Sequence, residues 1–262
     1  MSDTVVTAEW VTDRLDDPAV RLLDTREAWE YEGIGHLPGA VSVPFDTFRS
    51  ADAGEAGMLP GADAFAELLS AAGVSNEDHI VAYDDTHGVF AARLLVTAEL
   101  YGHPRERLHL LDGDFSAWQR TGEVSRETPD PEPADYRAEY DPTGPLVEMA
   151  TVEGALGVPD TVLVDTREEW EYEEGHIPGA VRLDWLELVD QESRGLRPVA
   201  EIRALLSERG ITPDKRILLY CNTARRISHT YVVLRHLGFS DLAFYEGSLT
   251  EWEAEGGDLE TA

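Results

Sequence analysis

Nine residues of this chain are written twice. Asp24-Thr25-Arg26-Glu27-Ala28-Trp29-Glu30-Tyr31-Glu32 returns as Asp165-Thr166-Arg167-Glu168-Glu169-Trp170-Glu171-Tyr172-Glu173, with a change only at the fifth place. Gly35-His36-Leu37-Pro38-Gly39-Ala40-Val41 returns as Gly175-His176-Ile177-Pro178-Gly179-Ala180-Val181, Ile80–Tyr83 as Ile217–Tyr220, and the pair Gly113 and Trp118 as Gly247 and Trp252. Blocks that keep their order across both halves mark a duplicated unit, and each copy must bury a core of its own. A chain of 262 residues has room for two such domains. Between the copies, Glu123 to Pro145 carries Pro129, Pro131, Pro133, Pro142 and Pro145 among acids without apolar periodicity, the composition of an extended, semi-rigid linker. The expected division is a first domain over residues 1–122, a linker over 123–145 and a second domain over 146–262.

Within each copy, apolar runs alternate with helical spacing. Val20–Asp24, Ile80–Tyr83 and Leu108–Leu111 read as buried strands, as do Val162–Asp165, Ile217–Tyr220 and Leu242–Tyr245. Ala64–Ala72, Phe90–Tyr101, Val199–Arg209 and a run from about Ile227 to Leu237 read as helices. This alternation predicts two α/β domains, each a mainly parallel sheet flanked by helices. Ligands of such sheets sit at the carboxyl ends of strands, where loops lead into helices. The residues after Tyr83 and Tyr220 are therefore where chemistry is expected.

Charge narrows the partners. With 52 acidic and 21 basic residues the formal charge is −31, which repels nucleic acid and anionic membranes alike. Lys215 is the sole lysine. An acid-rich, lysine-poor chain suits a salt-accumulating (halophilic) cell, where molar salt shortens the screening length to about 3 Å. An apolar fraction of 42% argues against disorder. No apolar run approaches the ~18 residues needed to cross a bilayer, and Met1-Ser2-Asp3-Thr4 has neither a basic nor an apolar signal region, so the expected location is the cytoplasm. Cys221 is the single cysteine, which excludes an intrachain disulfide and a multi-thiolate metal site; no metal or other cofactor is expected.

That cysteine follows Tyr220 and opens the run Cys221-Asn222-Thr223-Ala224-Arg225-Arg226, just ahead of a helical pattern. A short loop there can turn successive backbone N–H groups inward at the positive end of a helix dipole. Arg225 and Arg226 add two permanent charges, and all three influences favour thiolate over thiol. The competing reading is a buried cysteine packed as a small hydrophobe. One of the two arginines is expected on the helix surface, because adjacent side chains on a helix diverge by about 100°.

The Asp-Thr-Arg segment, the Gly-His-(Leu/Ile)-Pro-Gly-Ala block, the Cys221 loop and Tyr245-Glu246-Gly247-Ser248 leading to Trp252 together resemble the rhodanese (thiosulfate sulfurtransferase) family, across both halves. The resemblance implies tandem α/β domains, a catalytically silent first domain and an active second one that works through a cysteine persulfide. In the first copy Asp84 stands where Cys221 stands in the second, and a carboxylate cannot accept sulfane sulfur. The implied roles are sulfur transfer through Cys221 and binding of persulfide and donor by Asn222, Thr223, Ala224, Arg225 and Arg226. Asp165, Arg167 and His176 are expected to support the loops, since Asp24, Arg26 and His36 repeat them in the silent copy. Thiosulfate is the implied donor, with cyanide, a small thiol or a partner protein as acceptor. The alternatives are a 3-mercaptopyruvate sulfurtransferase and a non-enzymatic sulfur carrier. Two residues depart from the family pattern: Ala224 replaces a common glycine, and Pro178 stands where some members carry a substrate-binding arginine. A cysteine phosphatase of related shape would place its arginine six positions after the cysteine, where this chain has Ile227.

Overall fold

The computed structural model describes residues 3–50, 59–222 and 224–261, so Thr223 lies outside the described residues. Two compact units emerge: one runs to Asp141 and takes in Gln191–Gly195, and the other comprises Pro142–Asp190 and the chain from Leu196 onward.

The first unit contains β1 (Val5–Val6), α1 (Ala8–Thr12), β2 (Val20–Asp24), α2 (Ala28–Gly33), β3 (Val41–Ser42), α3 (Ala62–Ala71), β4 (His79–Tyr83), α4 (Val89–Leu100), β5 (Leu108–Leu111) and α5 (Phe115–Trp118). Its sheet has the order β1-β5-β4-β2-β3, with every pairing parallel. The second unit repeats the plan with β6 (Leu146–Val147), α6 (Met149–Ala155), β7 (Thr161–Asp165), α7 (Glu169–Glu174), β8 (Val181–Arg182), α8 (Val199–Glu208), β9 (Arg216–Tyr220), α9 (Arg225–His236), β10 (Leu242–Tyr245) and α10 (Ser248–Ala254). Its sheet order is β6-β10-β9-β7-β8, again all parallel. Helices cover both faces, which is why Ile80–Tyr83 and Ile217–Tyr220 are unbroken apolar runs rather than alternating ones. Matching cores gather on one face, around Leu22, Val81, Tyr83, Phe115 and Trp118 in one unit and Leu163, Leu218, Tyr220, Leu249 and Trp252 in the other.

The Pro-rich stretch is bonded to the first unit rather than hanging between domains. Ala134 N–H donates to the Ser70 carbonyl at 3.0 Å, Arg137 N–H to Asn76 Oδ1 at 2.8 Å and Asp141 N–H to the Leu100 carbonyl at 3.1 Å. Tyr136 is buried by the same wrapping. Prolines without N–H groups keep this strap extended while its other residues find partners on the unit.

The carboxyl edge of each sheet is held by one arrangement, made twice. Asp165 pairs in register with Tyr220, so the residue after Asp165 lies beside the start of the Cys221 loop. The Arg167 side chain turns back on Asp165, its Nε donating to Oδ1 at 3.0 Å, and its Nη2 donates to the Gly175 carbonyl at 2.6 Å. The Ile177 N–H donates to the Tyr220 hydroxyl at 3.1 Å, and Thr166 N–H to the Tyr220 carbonyl at 3.0 Å. The first unit shows the same bonds from Arg26 to Asp24 and Gly35, and from Leu37 and Thr25 to Tyr83. Both aspartates are fully buried. Burial works against the Arg167 charge, but the hydrogen bond and attraction of Asp165 outweigh it and hold the guanidinium above its ordinary pKa. Removing one partner of a buried pair leaves the other uncompensated, a loss of about 3–5 kcal/mol. Asp165→Asn is therefore expected to lower unfolding stability by about that amount in a denaturant titration; a loss below ~1 kcal/mol contradicts a buried, charged pair.

Candidate active site

Cys221 is the first residue beyond β9 and is fully buried. Its backbone is fixed from the start of α10: Cys221 N–H donates to Ser248 Oγ at 3.2 Å, and Leu249 N–H donates to the Cys221 carbonyl at 3.1 Å. Ser248 Oγ in turn donates to the Tyr245 carbonyl at 2.8 Å. Ser248 is itself buried with φ +54°, a left-handed conformation rare for a residue with a Cβ. Strain of this kind persists where surrounding bonds over-determine it, and here they converge on the cysteine.

The sequence expectation set the helix start near Ile227, but α9 begins at Arg225. Both arginines thus occupy its first turn, where a cation opposes the helix dipole. Both are half-buried. The Arg226 guanidinium is paired with Glu171, a buried carboxylate on α7. Asn222 Nδ2 donates to the same carboxylate at 2.7 Å. Ala224, at the N-cap, has φ +24°. Asp165 and Arg167 form the clamp at the sheet edge, while His176 donates Nδ1–H to the Tyr172 carbonyl at 2.9 Å and stacks on the Tyr172 ring at 3.7 Å. The structure thus brings Asn222 and Arg226 together through Glu171, and sets His176 against the end of α7.

Sequence reasoning assigned no role to Glu171 or Ser248. Both were in view, Glu171 within the repeated nonapeptide and Ser248 in the Tyr-Glu-Gly-Ser run. The signal for Glu171 was present: a carboxylate retained in both copies of a helix start, three residues after Glu27 or Glu168, as a capping box requires. Its other face, toward the loop, has no sequence signature.

Among the described residues, no cluster of three or more His, Cys, Asp or Glu could hold a metal ion. The first unit has a cavity of about 430 Å³ between the Arg14–Val20 segment and Pro129 and Pro131. None of the candidate residues lines it.

Comparison with known proteins decides the family. The rhodanese-like domain matches residues 7–121 and again 148–255. The chain belongs to the rhodanese family. A thiosulfate sulfurtransferase of Azotobacter vinelandii is 33% identical over 91% of this rhodanese and 90% of its own length. The sulfur carrier protein TtuD of Thermus thermophilus is 31% identical over 95% of this chain and 93% of its own. A crystal structure of SseA from Escherichia coli, described among 3-mercaptopyruvate sulfotransferases, superposes with a TM-score of 0.82 at 25% identity, covering 94% of this chain and 98% of that one.

The two loops of this rhodanese follow corresponding strands, β4 and β9, but open on different side chains. In the first, the buried Asp84 carboxylate accepts N–H bonds from Thr86 at 2.7 Å, Gly88 at 2.8 Å, Phe90 at 2.8 Å and Ala91 at 3.1 Å. Burial pushes this carboxyl above its ordinary range, and the four donors pull the other way. The Phe115 N–H donates to the Asp84 carbonyl at 2.8 Å, as Leu249 does to Cys221. His87, three residues after Asp84, has φ +56°, and Ala224 holds that place after Cys221. Positive φ at this place favours a glycine and sets what Ala224 costs. Ala224→Gly is expected to raise stability by about 1 kcal/mol, net of the extra freedom glycine has when unfolded. A fall in the unfolding midpoint contradicts strain at Ala224.

Proposed function

We propose that this rhodanese is a sulfurtransferase that moves sulfane sulfur from thiosulfate to cyanide or a thiol through a persulfide on Cys221. The observation that carries the reading is the Asp84 loop, where four amides collect on the side chain of the first residue after β4. Those amides offset part of the cost of burying a negative charge there, and in the second unit the residue at the corresponding place is the Cys221 thiol.

The Cys221 thiolate attacks the outer sulfur of thiosulfate. The sulfur–sulfur bond of the donor breaks, its electron pair leaves with sulfite, and the persulfide anion remains on Cys221. Backbone N–H groups of Asn222, Ala224, Arg225 and Arg226 hold that charge, the physics of an oxyanion hole. Cyanide then takes the outer sulfur as thiocyanate and returns the thiolate; a thiol acceptor gives up its proton and leaves as its own persulfide. Buried Cys221 keeps the adduct away from water. The Arg226 charge is paired with Glu171, and the sulfonate end of the donor is given to Arg225, whose guanidinium matches a multi-oxygen anion. Asp165, Arg167 and His176 keep the supporting role, with Asp84 marking the first domain as silent. We assign the domains as 1–122 and 146–262, with 123–145 between them in sequence and residues to Asp141 strapped onto the first.

A second reading has support from one relative, since the Thermus protein is named as a sulfur carrier. The carrier loads once, whereas the enzyme turns over. Among the described residues no helix is long and apolar enough to cross a membrane. With 52 acidic residues and a single lysine, the chain fits the cytoplasm of a salt-accumulating cell.

Assayed across a KCl series, the protein is expected to form thiocyanate continuously with ping-pong kinetics, turning over faster as KCl approaches molar concentration. Arg225→Ala is expected to raise the KM for thiosulfate about tenfold, the loss of about 1.4 kcal/mol of charge-assisted binding. One sulfur loaded without turnover would make it a carrier, and an unchanged KM would remove Arg225 from the donor site.

A further inference from the structure

We infer that Glu171 is a positioning residue for the loop that carries Cys221, an inference that rests on the sulfurtransferase reading. Its carboxylate is only 6% exposed and has three donors. The Glu168 N–H reaches Oε2 at 3.1 Å and caps α7, Asn222 Nδ2 reaches Oε1 at 2.7 Å, and Arg226 Nη1 reaches Oε2. Asn222 is the first residue after Cys221 and Arg226 the fifth. One group, rigid because it is also part of a helix cap, therefore fastens both ends of the loop. A short segment tied at both ends keeps its intervening amides aimed at one point, which is what a persulfide anion requires.

The first unit supplies a natural control. Glu30 occupies the place of Glu171 and makes the same cap, accepting from Glu27 N–H at 3.1 Å. The loop there has Asp85 and Val89 where the second has Asn222 and Arg226, and neither can donate a side-chain bond to a carboxylate when Asp85 is ionised. In that copy the amides are organised by the Asp84 carboxylate, which is built into the loop. Cys221 alternates between a thiolate and a longer persulfide, so the place of its charge shifts during turnover and a hold from outside keeps the loop in one shape. Glu171 also offsets the cost of a guanidinium in the first turn of α9 and removes Arg226 from donor binding.

Glu171→Gln keeps the side-chain length and can still accept from Asn222, but it cannot pair with a guanidinium. The expected result is a ten- to hundredfold fall in kcat for thiocyanate formation with the thiosulfate KM within about threefold of wild type. Arg226→Met cuts the same connection from the other side and carries the same expectation, which keeps the test open should Glu171→Gln not fold. The double variant is expected to be no slower than either single one, because both remove one link. Glu168→Ala breaks the α7 capping box without reaching the loop and is expected to keep wild-type kcat. Hydrogen exchange at amides of residues 222–228 is expected to quicken at least tenfold in Glu171→Gln and not in Glu168→Ala. Wild-type kcat in Glu171→Gln, a change confined to KM, or additive losses in the double variant would overturn the inference. If wild type forms no thiocyanate, the sulfurtransferase reading fails, and the exchange measurement still decides whether Glu171 holds the loop.

Discussion

A buried carboxylate–guanidinium pair at the end of the second strand organises each unit. Asp24 with Arg26, and Asp165 with Arg167, are two residues apart, so the arginine must fold back across a tight turn to meet its partner. The same guanidinium then takes the carbonyl of Gly35 or Gly175 and thereby fixes the Gly-His-(Leu/Ile)-Pro-Gly loop. That loop returns an N–H to the hydroxyl of Tyr83 or Tyr220, the last residue of the central strand. A chain of bonds thus runs from one strand end to the next and stops one residue short of the position where the two copies part. Buried pairs are costly to desolvate and contribute more to a single defined geometry than to raw stability. A site that must aim several amides at one atom depends on such a geometry.

The duplication shows what one loop does with two different side chains. In the first unit four loop amides are taken up by the Asp84 carboxylate. In the second unit the first loop residue is a thiol, and its surroundings differ in compensation. Ser248 and Leu249 hold the cysteine backbone, while Glu171 engages Asn222 and Arg226. Positive φ follows three residues after the first loop residue in both copies, at His87 and Ala224, but the helix then starts one residue earlier in the second copy, at Arg225.

Much of this was legible from residues alone, for identifiable reasons. The strands at Val20–Asp24, Leu108–Leu111 and Leu242–Tyr245 have the expected bounds, since each is mostly apolar, with Arg21 and His109 as the interruptions. The two-residue strands β1, β3, β6 and β8 are too short to show any period and exist because a neighbouring strand end offers them bonds. Repetition exposed the Asp-Thr-Arg block, but not that its arginine reaches the Gly35 or Gly175 carbonyl, a contact set by the turn. The start of α9 at Arg225 was missed because two adjacent cations look like a loop, and only a carboxylate from α7 makes them tolerable there. Thr223, placed in the substrate set by its neighbours, lies outside the described residues.

The central claim is that the loop after β9 turns its one cysteine into a stable holder of sulfur. Intact-mass measurement after thiosulfate treatment in high salt, on wild type and Cys221→Ser, tests it most directly. The account predicts that wild type gains the mass of one sulfur atom, that dithiothreitol removes it, and that the serine variant gains nothing. An unmodified wild-type chain, or an adduct that survives in Cys221→Ser, would contradict it.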